Sequence, residues 1–150
     1  MSKWNTWETD TLELIFQNVD PGYAIGGSSG IRGSAVAGNL YVALFAGDPA
    51  EDESGVAGNE CSYTGYNRVA VARSAAGWTV SGDTVTNAAA ITFGTDTSGS
   101  ETATYFGICK ASVKTVSDLI FYGLLSGGGL AISVGVTPQI QAGDLTVTEY

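Results

Sequence analysis

The chain has 150 residues, which is enough for a domain that buries a sizeable core. Its formal net charge of −9, with only six Lys and Arg, argues against binding to nucleic acid or to an anionic membrane surface. Because the chain has no histidine, Ser-His-Asp and Cys-His catalysis are excluded and the commonest metal ligand is missing. We therefore predict no cofactor, no nucleic-acid partner and no membrane partner.

Charged residues make up 14% of the chain, against about 25% in average soluble domains. This scarcity favours a protein whose surface is partly covered by copies of itself. Cys61 and Cys109 lack further soft ligands for a zinc site. One disulfide remains an alternative, but we favour two thiols because small secreted scaffolds normally use several bridges. We expect no secretion signal at the N-terminus, and the apolar runs are too short to span a bilayer.

The N-terminal residues predict a helix over about residues 6–18. Asn5 and Glu8 have the spacing of a capping box, and Pro21 with Gly22 predicts where the helix ends. Apolar side chains recur at helical spacing and indicate packing against the β-domain or a neighbouring subunit. From this segment we select as candidate interaction residues Trp4, Trp7, Leu14 and Ile15.

Residues 22–38 are dense in glycine. A phosphate-binding loop would need a preceding strand, a following helix and usually a lysine, none of which this segment indicates. We therefore interpret it as an extended arm. The predicted domain organisation is a helix and arm over residues 1–38 and a β-domain over residues 39–150.

Residues 40–47 form the longest clean apolar run of the first half of the chain. Both faces of this run are apolar, so it predicts a central strand that is buried on both sides. Residues 48–60 follow and contain five carboxylates. Calcium binding is one hypothesis for this acidic loop, but the spacing differs from an EF-hand, and we favour a solvated loop.

The remainder of the chain alternates apolar segments with turn residues and predicts roughly eight short strands in all. The hairpin prediction at residues 78–86 is the sharpest, since Ser81, Gly82 and Asp83 separate two alternating segments. Further strands are predicted at 66–73, 88–93, 102–109, 118–125, 130–136 and 144–148. This pattern predicts a mainly β fold, an antiparallel β-sandwich or jelly roll.

Paired carboxylates are the residues that a glycosidase would need. Asp83, Asp96 and Glu101 are candidates, but each lies at a predicted turn tip, where turn geometry alone explains an acid. We therefore predict that the protein is not an enzyme. Three arginines, Arg32, Arg68 and Arg73, are interpreted as salt-bridge partners, some of them between subunits.

The order of these segments resembles a family of small virion proteins of tailed bacteriophages, described as tail-fibre-like or head-decoration proteins. The likeness extends from about residue 8 to the C-terminal end. The matching motifs are LYVALF (40–45), GYNRVAV (65–71), VTNAAAITF (85–93), ATYFGI (103–108), LIFYGLL (119–125) and AGDLTV (142–147). Most of them are core strands and turns, so they imply a shared fold more firmly than a shared target.

The resemblance implies a virion structural protein that is assembled in the host cytoplasm. Our main expectation is a capsid decoration or cement protein that stabilises the exterior of the head. Its partners would be the major capsid protein and further copies of itself, with a homotrimer implied by analogy. The alternative is a tail-fibre or tail-tip module that binds a host surface receptor through the loops at 48–64 and 94–101.

Overall fold

The computed structural model describes residues 3–21, 33–52, 56–113 and 118–149. Within these ranges the protein is mainly β, as the sequence predicts, and its antiparallel sheets are consistent with a sandwich. Helix α1 (Asn5–Leu12) continues into a π-helical turn (Glu13–Gln17), and α2 (Val56–Asn59) is a single turn. The strands are β1 (Asn39–Phe45), β2 (Val69–Ala72), β3 (Trp78–Ser81), β4 (Thr84–Asn87), β5 (Ile91–Thr92), β6 (Ser100–Ala103), β7 (Tyr105–Cys109), β8 (Leu119–Leu124), β9 (Leu130–Ser133), β10 (Gln139–Ile140) and β11 (Thr146–Thr148). None of the helices in these described ranges is long and apolar enough to cross a bilayer.

The chain packs as two compact units, and both are discontinuous in sequence. Unit 1 consists of Met1–Asn39, Val71–Ala90 and Gln141–Tyr150. Unit 2 consists of Leu40–Ala70 and Ile91–Ile140. The predicted domain boundary between residues 38 and 39 stays a prediction, because units of close packing need not be domains.

The N-terminal helix belongs to the core of unit 1. Leu12 and Phe16 are fully buried, and the Phe16 ring meets the buried Trp78 ring edge-on at 4.9 Å between centroids. Gln17 Nε2 also donates a hydrogen bond of 2.8 Å to the Trp78 carbonyl oxygen. The predicted packing of the helix against a β-structure is therefore confirmed within this chain.

The predicted capping box is wrong. Trp4 occupies the N-cap position, Asn5 is the first helical residue, and no side chain caps the helix. The main chain begins the ladder instead, since the Glu8 N–H donates to the Trp4 carbonyl oxygen at 3.1 Å. The apolar periodicity located the helix correctly, whereas the spacing of Asn5 and Glu8 alone did not fix its first turn.

The sheet of unit 1 has three strands in the order β11-β4-β3, and the predicted β3–β4 hairpin is confirmed. Ser81 pairs with Thr84, so the turn consists of Gly82 and Asp83. Gly82 has φ +63°, a left-handed conformation that glycine adopts without steric cost.

Asn87 fastens the last segment of unit 1 to its sheet. The side chain is buried; its Nδ2 donates to the carbonyl oxygens of Ala89 and Gln141, both at 2.8 Å. Its Oδ1 accepts the Leu145 N–H at 3.0 Å. Because all these polar atoms are paired, burying an amide here costs little and fixes the position of β11.

Unit 2 contains most of a four-stranded sheet in the order β2-β1-β7-β8. Strand β1 lies between two neighbours, which confirms it as a central strand. Val42, Ala43, Leu44 and Phe45 are fully buried, as predicted for a strand with two apolar faces. Two pairs of strands, β10-β5 and β6-β9, complete the unit.

The segment predicted as one strand at 102–109 is two strands. Thr104 interrupts it: its N–H donates to the Phe45 carbonyl oxygen at 2.8 Å and its Oγ1 to that of Ala46 at 3.0 Å. Strand β6 consequently pairs with β9, while β7 pairs with β1 and β8. The predicted strand at 88–93 shortens to Ile91–Thr92, and part of the predicted loop at 95–101 joins β6.

Candidate functional site

An open groove of about 310 Å³ lies on unit 2 beside its buried ionic groups. Its lining comes from the segment after α2, the residues before β2 and the residues after β7. The lining residues are Glu60, Cys61, Ser62, Tyr66, Asn67, Arg68, Ser112 and Val113.

A buried ion cluster of Glu60, Arg68 and Asp118 adjoins this groove. Arg68 Nε and Nη2 donate to the two carboxylate oxygens of Glu60, both at 2.8 Å, in a bidentate pair. Arg68 Nη1 forms an ion pair with Asp118 and also donates to the Ala111 carbonyl oxygen at 2.9 Å. All three side chains are at least nine-tenths buried. The strong mutual pairing is what makes burying these charges tolerable.

Tyr66 connects the ion cluster to the central strand. Its hydroxyl donates to Glu60 Oε1 at 3.0 Å and accepts the Leu44 N–H at 3.1 Å. Its ring stacks on Phe93 with an angle of 10° between the planes. Burial and the neighbouring Glu60 charge raise the pKa of Tyr66 well above its usual range, so the hydroxyl stays protonated and can donate.

The guanidinium of Arg68 is held firmly in its charged form. Burial by itself lowers the pKa of Arg68, but the hydrogen bonds to Glu60 and Asp118 outweigh it and raise that pKa further. Four of its N–H groups are already engaged by groups of the same chain. The arrangement therefore fixes three chain segments relative to each other and leaves Arg68 little capacity to bind an anion in the groove.

The sequence predicts a salt bridge for Arg68 but does not identify Glu60 and Asp118 as its partners. By composition Glu60 belongs to the acidic loop, and Asp118 begins a predicted strand. Each of these acids borders an apolar segment, as does Arg68. A charged residue beside an apolar segment is the sequence signal for a buried charge, although it does not show which segments contact each other.

Arg73 belongs to unit 1 and binds main-chain carbonyl groups. Its Nη2 and Nε donate to the carbonyl oxygens of Leu14 and Ile15, at 2.7 and 2.8 Å. Its Nη1 donates to the Ala37 carbonyl oxygen at 3.1 Å. A cation that satisfies the last carbonyls of a helix also interacts favourably with the helix dipole.

The other candidate interaction residues lie along α1 and the π-helical turn. Trp4 is 67% exposed, whereas Trp7, Leu14 and Ile15 are half-buried. Arg32 lies outside the described residues. These helix residues belong to unit 1 and Arg68 to unit 2, and a role of these residues in binding a partner stays a prediction.

The three acids weighed for glycosidase chemistry do not share one environment. Asp83 is exposed on the β3–β4 turn, as predicted. The prediction of exposure is wrong for Asp96, which is buried and accepts the Ser98 N–H at 2.8 Å. Glu101 lies in β6, and its Oε2 accepts the main-chain N–H groups of Ser62 and Tyr63, at 2.8 and 2.9 Å. These contacts give Asp96 and Glu101 structural roles.

Two further expectations concern the state of the cysteines and metal binding. Cys61 and Cys109 are both buried thiols and are not joined by a disulfide. Among the described residues, no group of three or more Cys, Asp or Glu is arranged to hold a metal ion. Part of the acidic loop, residues 53–55, lies outside those residues.

The comparisons with known proteins place the chain in a family. A family model described as "Podophage GP4 fiber I protein gp80" matches residues 30–148, which is most of the chain. Among curated proteins the search finds no match. The family description names a fibre protein, so it favours the tail-fibre alternative over capsid decoration. The chain belongs to the podophage GP4 fibre I protein gp80 family, and it is a structural protein of a phage virion.

Proposed function

We propose that the protein is a non-enzymatic module of a phage fibre that binds a molecule on the host-cell surface. The observation that carries this proposal is the family match over residues 30–148, which describes a fibre protein. Receptor binding goes beyond that description. It is supported by the architecture, since loops held on a rigid β scaffold are where binding sites concentrate.

The hydrogen bonding of the acids supports a module without catalysis. Asp96 and Glu101 satisfy main-chain N–H groups of nearby loops, so neither is poised as a general acid or base on a sugar ring. The paired groups Glu60 and Asp118 are likewise committed to Arg68. We propose that the chain positions a ligand and does not cleave it.

Capsid decoration, the main expectation from the sequence, is the competing proposal and has the major capsid protein and a homotrimer as its partners. Labelling the chain in purified virions and imaging the label separates the two locations. We expect the label at the fibres. Label over the whole head, at a copy number that matches the shell lattice, would contradict the fibre proposal.

Adsorption of phage carrying charge-reversed variants tests receptor binding. Scrambling the whole loop 48–60 is unsuitable, because Val56 and Glu60 are buried. We therefore choose the exposed acids Asp48, Glu51 and Asp52 and replace each with Lys. Adsorption to host cells should fall by about tenfold or more, equivalent to a loss of about 1.4 kcal/mol in binding.

The matched control for this experiment reverses charges elsewhere on the surface. Asp83→Lys and Asp144→Lys change exposed acids of unit 1. Both sets of variants should be incorporated into virions at the level of the unmodified chain. Unchanged adsorption of correctly assembled phage with the loop variants would overturn the receptor proposal for this loop.

A further inference from the structure

One face of the unit 2 sheet presents aromatic and apolar side chains at the sheet end where β1 stops. In β7 and β8, Tyr105 pairs with Leu124, and Gly107 pairs with Tyr122. Paired residues share a face, so Tyr105 and Tyr122 are diagonal neighbours, and their ring centroids lie 6.4 Å apart. Both rings are half-buried, and Leu124 is 69% exposed. We call these three residues, with Asp48 and Glu51, the tyrosine shelf.

A buried ring lies beside the tyrosine shelf, since Phe45 pairs with Tyr105 across β1 and β7 and shares its face of the sheet. Phe45 is fully buried and lies so close to Gly107 that a Cβ added there would be 2.6 Å from the ring. The same Cβ would lie 2.8 Å from Leu119 Cδ1, so the missing side chain of Gly107 leaves room for Phe45 and Leu119. Tyr105 packs against a buried cluster that includes Phe45, and this packing restricts its ring before a ligand binds.

The loop after β1 brings two carboxylates to the same end of the sheet. Thr104 and Leu125 link the ends of β1, β7 and β8, since the Thr104 N–H donates to the Phe45 carbonyl oxygen and the Leu125 N–H to that of Thr104, both at 2.8 Å. Asp48 follows three residues after Phe45, and its Oδ1 accepts the Ala50 N–H at 2.8 Å. Asp48 and Glu51 are both exposed.

The pKa of Tyr122 is consistent with two carboxylates at this end of the sheet. Desolvation raises the pKa of Tyr122, and the negative charges of Asp48 and Glu51 raise it further. A negative potential thus acts on a partly exposed aromatic surface. Such a surface is complementary to a ligand that joins an apolar face to a positive charge.

We propose that the tyrosine shelf binds a saccharide that carries protonated amino groups. The C–H face of a pyranose ring packs on the tyrosine rings and Leu124. The ammonium and hydroxyl groups at its edge donate to Asp48 and Glu51. This assignment rests on the proposed host-binding function and names the chemical class of the ligand.

A basic peptide is the other ligand that negative charge would attract, and the shape of the surface disfavours it. A lysine side chain can form an ion pair with one carboxylate or a cation–π contact with one ring. It leaves much of the apolar surface of Tyr105, Tyr122 and Leu124 exposed. A sugar ring covers that surface and brings several donors to its rim. Apolar lining with a few placed polar groups is the usual composition of a small-molecule site.

Titration calorimetry on the full purified chain tests the proposal with three probes. They are a glucosamine tetramer, an N-acetylglucosamine tetramer and tetralysine, at about pH 6, where the amino groups are protonated. We expect the glucosamine tetramer to bind about tenfold or more tightly than the acetylated tetramer, because acetylation removes the charge and keeps the ring. Tetralysine should bind more weakly than the glucosamine tetramer.

Variants connect the binding to the tyrosine shelf. Tyr122→Leu keeps apolar area and removes the π face, while Asp48→Asn with Glu51→Gln removes charge and keeps the oxygen that accepts the Ala50 N–H. Each should weaken glucosamine tetramer binding by about tenfold. Asp83→Asn, on the β3–β4 turn, should leave it unchanged. Circular dichroism should show that every variant is folded.

Three outcomes would overturn the ligand assignment: equal affinity for the two sugar tetramers, unchanged affinity of the shelf variants, or tetralysine binding as tight as that of the glucosamine tetramer. The receptor proposal is judged separately, by phage adsorption. If the purified chain binds the glucosamine tetramer through the shelf while phage with Tyr122→Leu adsorb normally, the receptor role of this surface is wrong and the ligand assignment stands.

Discussion

Glu60 accepts more hydrogen bonds in the ion cluster than Asp118 does. Its two oxygens receive Arg68 Nε, Arg68 Nη2 and the Tyr66 hydroxyl. Asp118 receives only Arg68 Nη1 through Oδ2, and its Oδ1 is buried with no hydrogen-bond partner in the described part of the chain. Glu60 is thus the residue on which the position of Arg68 chiefly depends.

Glu60→Gln should therefore lower the free energy of unfolding by about 3–5 kcal/mol, since it leaves the buried Arg68 charge without its bidentate partner. Asp118→Asn should cost less. Urea unfolding followed by circular dichroism measures both, and Glu51→Gln is the control, because an exposed acid should change stability by less than about 0.5 kcal/mol. Equal costs for Glu60→Gln and Asp118→Asn would contradict this ranking.

Tyr63 makes the stability of unit 2 sensitive to high pH. Burial, with the charges of Cys61, Asp96 and Glu101, raises the pKa of Tyr63 from 10.0 to about 12. The folded state thus favours the neutral phenol, whose hydroxyl donates to the Gly94 carbonyl oxygen at 3.0 Å. Its contribution to stability is fully present below pH 10 and is lost as the pH rises through about 12.

Unfolding free energies measured between neutral pH and about pH 12 test this linkage. In Tyr63→Phe the decline above pH 10 should be shallower, although the variant should start about 1 kcal/mol lower at neutral pH because it loses one hydrogen bond. An identical decline in both proteins would show that Tyr63 is not responsible.

At the scale of the elements, the hairpin and the broken strand show what the sequence could and could not predict. Gly82 and Asp83 between two alternating segments determine a turn locally, so the β3–β4 hairpin followed from the sequence. The break at Thr104 depends on hydrogen bonds to Phe45 and Ala46, almost 60 positions away. No local pattern encodes a partner at that separation.

The candidate sites show the same division. Apolar periodicity identified β1 and the N-terminal helix, and the acidic loop was recognised by composition. The ion cluster and the tyrosine shelf were not predicted, because each joins residues from three separate segments. The sequence identifies Arg68 without its partners. Tyr105 and Tyr122 have the pattern of ordinary strand residues, and only the pairing of β7 with β8 shows that they are neighbours.

The β3–β4 hairpin allows a clean measurement of backbone strain. A Cβ added at Gly82 would meet nothing within 4 Å, so Gly82→Ala changes only the cost of the left-handed conformation. We expect a loss of about 1–2 kcal/mol in unfolding free energy. Gly58→Ala is the matched control, since its Cβ would also meet nothing and its φ is not positive, and it should be neutral or slightly stabilising. Equal effects would refute the strain argument.

At the scale of the whole molecule, the N-terminal helix contributes to the core of unit 1. Leu12 and Phe16 are fully buried and the Phe16 ring packs on Trp78, so deletion of residues 1–38 should expose the Trp78 ring. The deletion also removes Trp4 and Trp7, which leaves Trp78 as the sole fluorophore of its type. Its emission should shift to longer wavelength as water reaches it.

Trp4→Phe with Trp7→Phe in the full chain provides the reference spectrum, since it also retains Trp78 alone. That reference should emit at short wavelength because Trp78 is fully buried. If the deleted chain emits at the same wavelength as the reference, residues 1–38 are dispensable for the core of unit 1. That outcome would support the predicted domain boundary between residues 38 and 39.

Because unit 1 is discontinuous in sequence, it cannot fold completely early in translation. Strand β11 and Leu145 come from Gln141–Tyr150, and Asn87 receives that segment through its side-chain amide. Every residue of unit 2 is translated before this segment leaves the exit tunnel. During synthesis, therefore, helix α1 and the β3–β4 hairpin are made while the edge of β4 that pairs with β11 is still unpaired. Unit 1 can complete its sheet only after residues Gln141–Tyr150 have been translated.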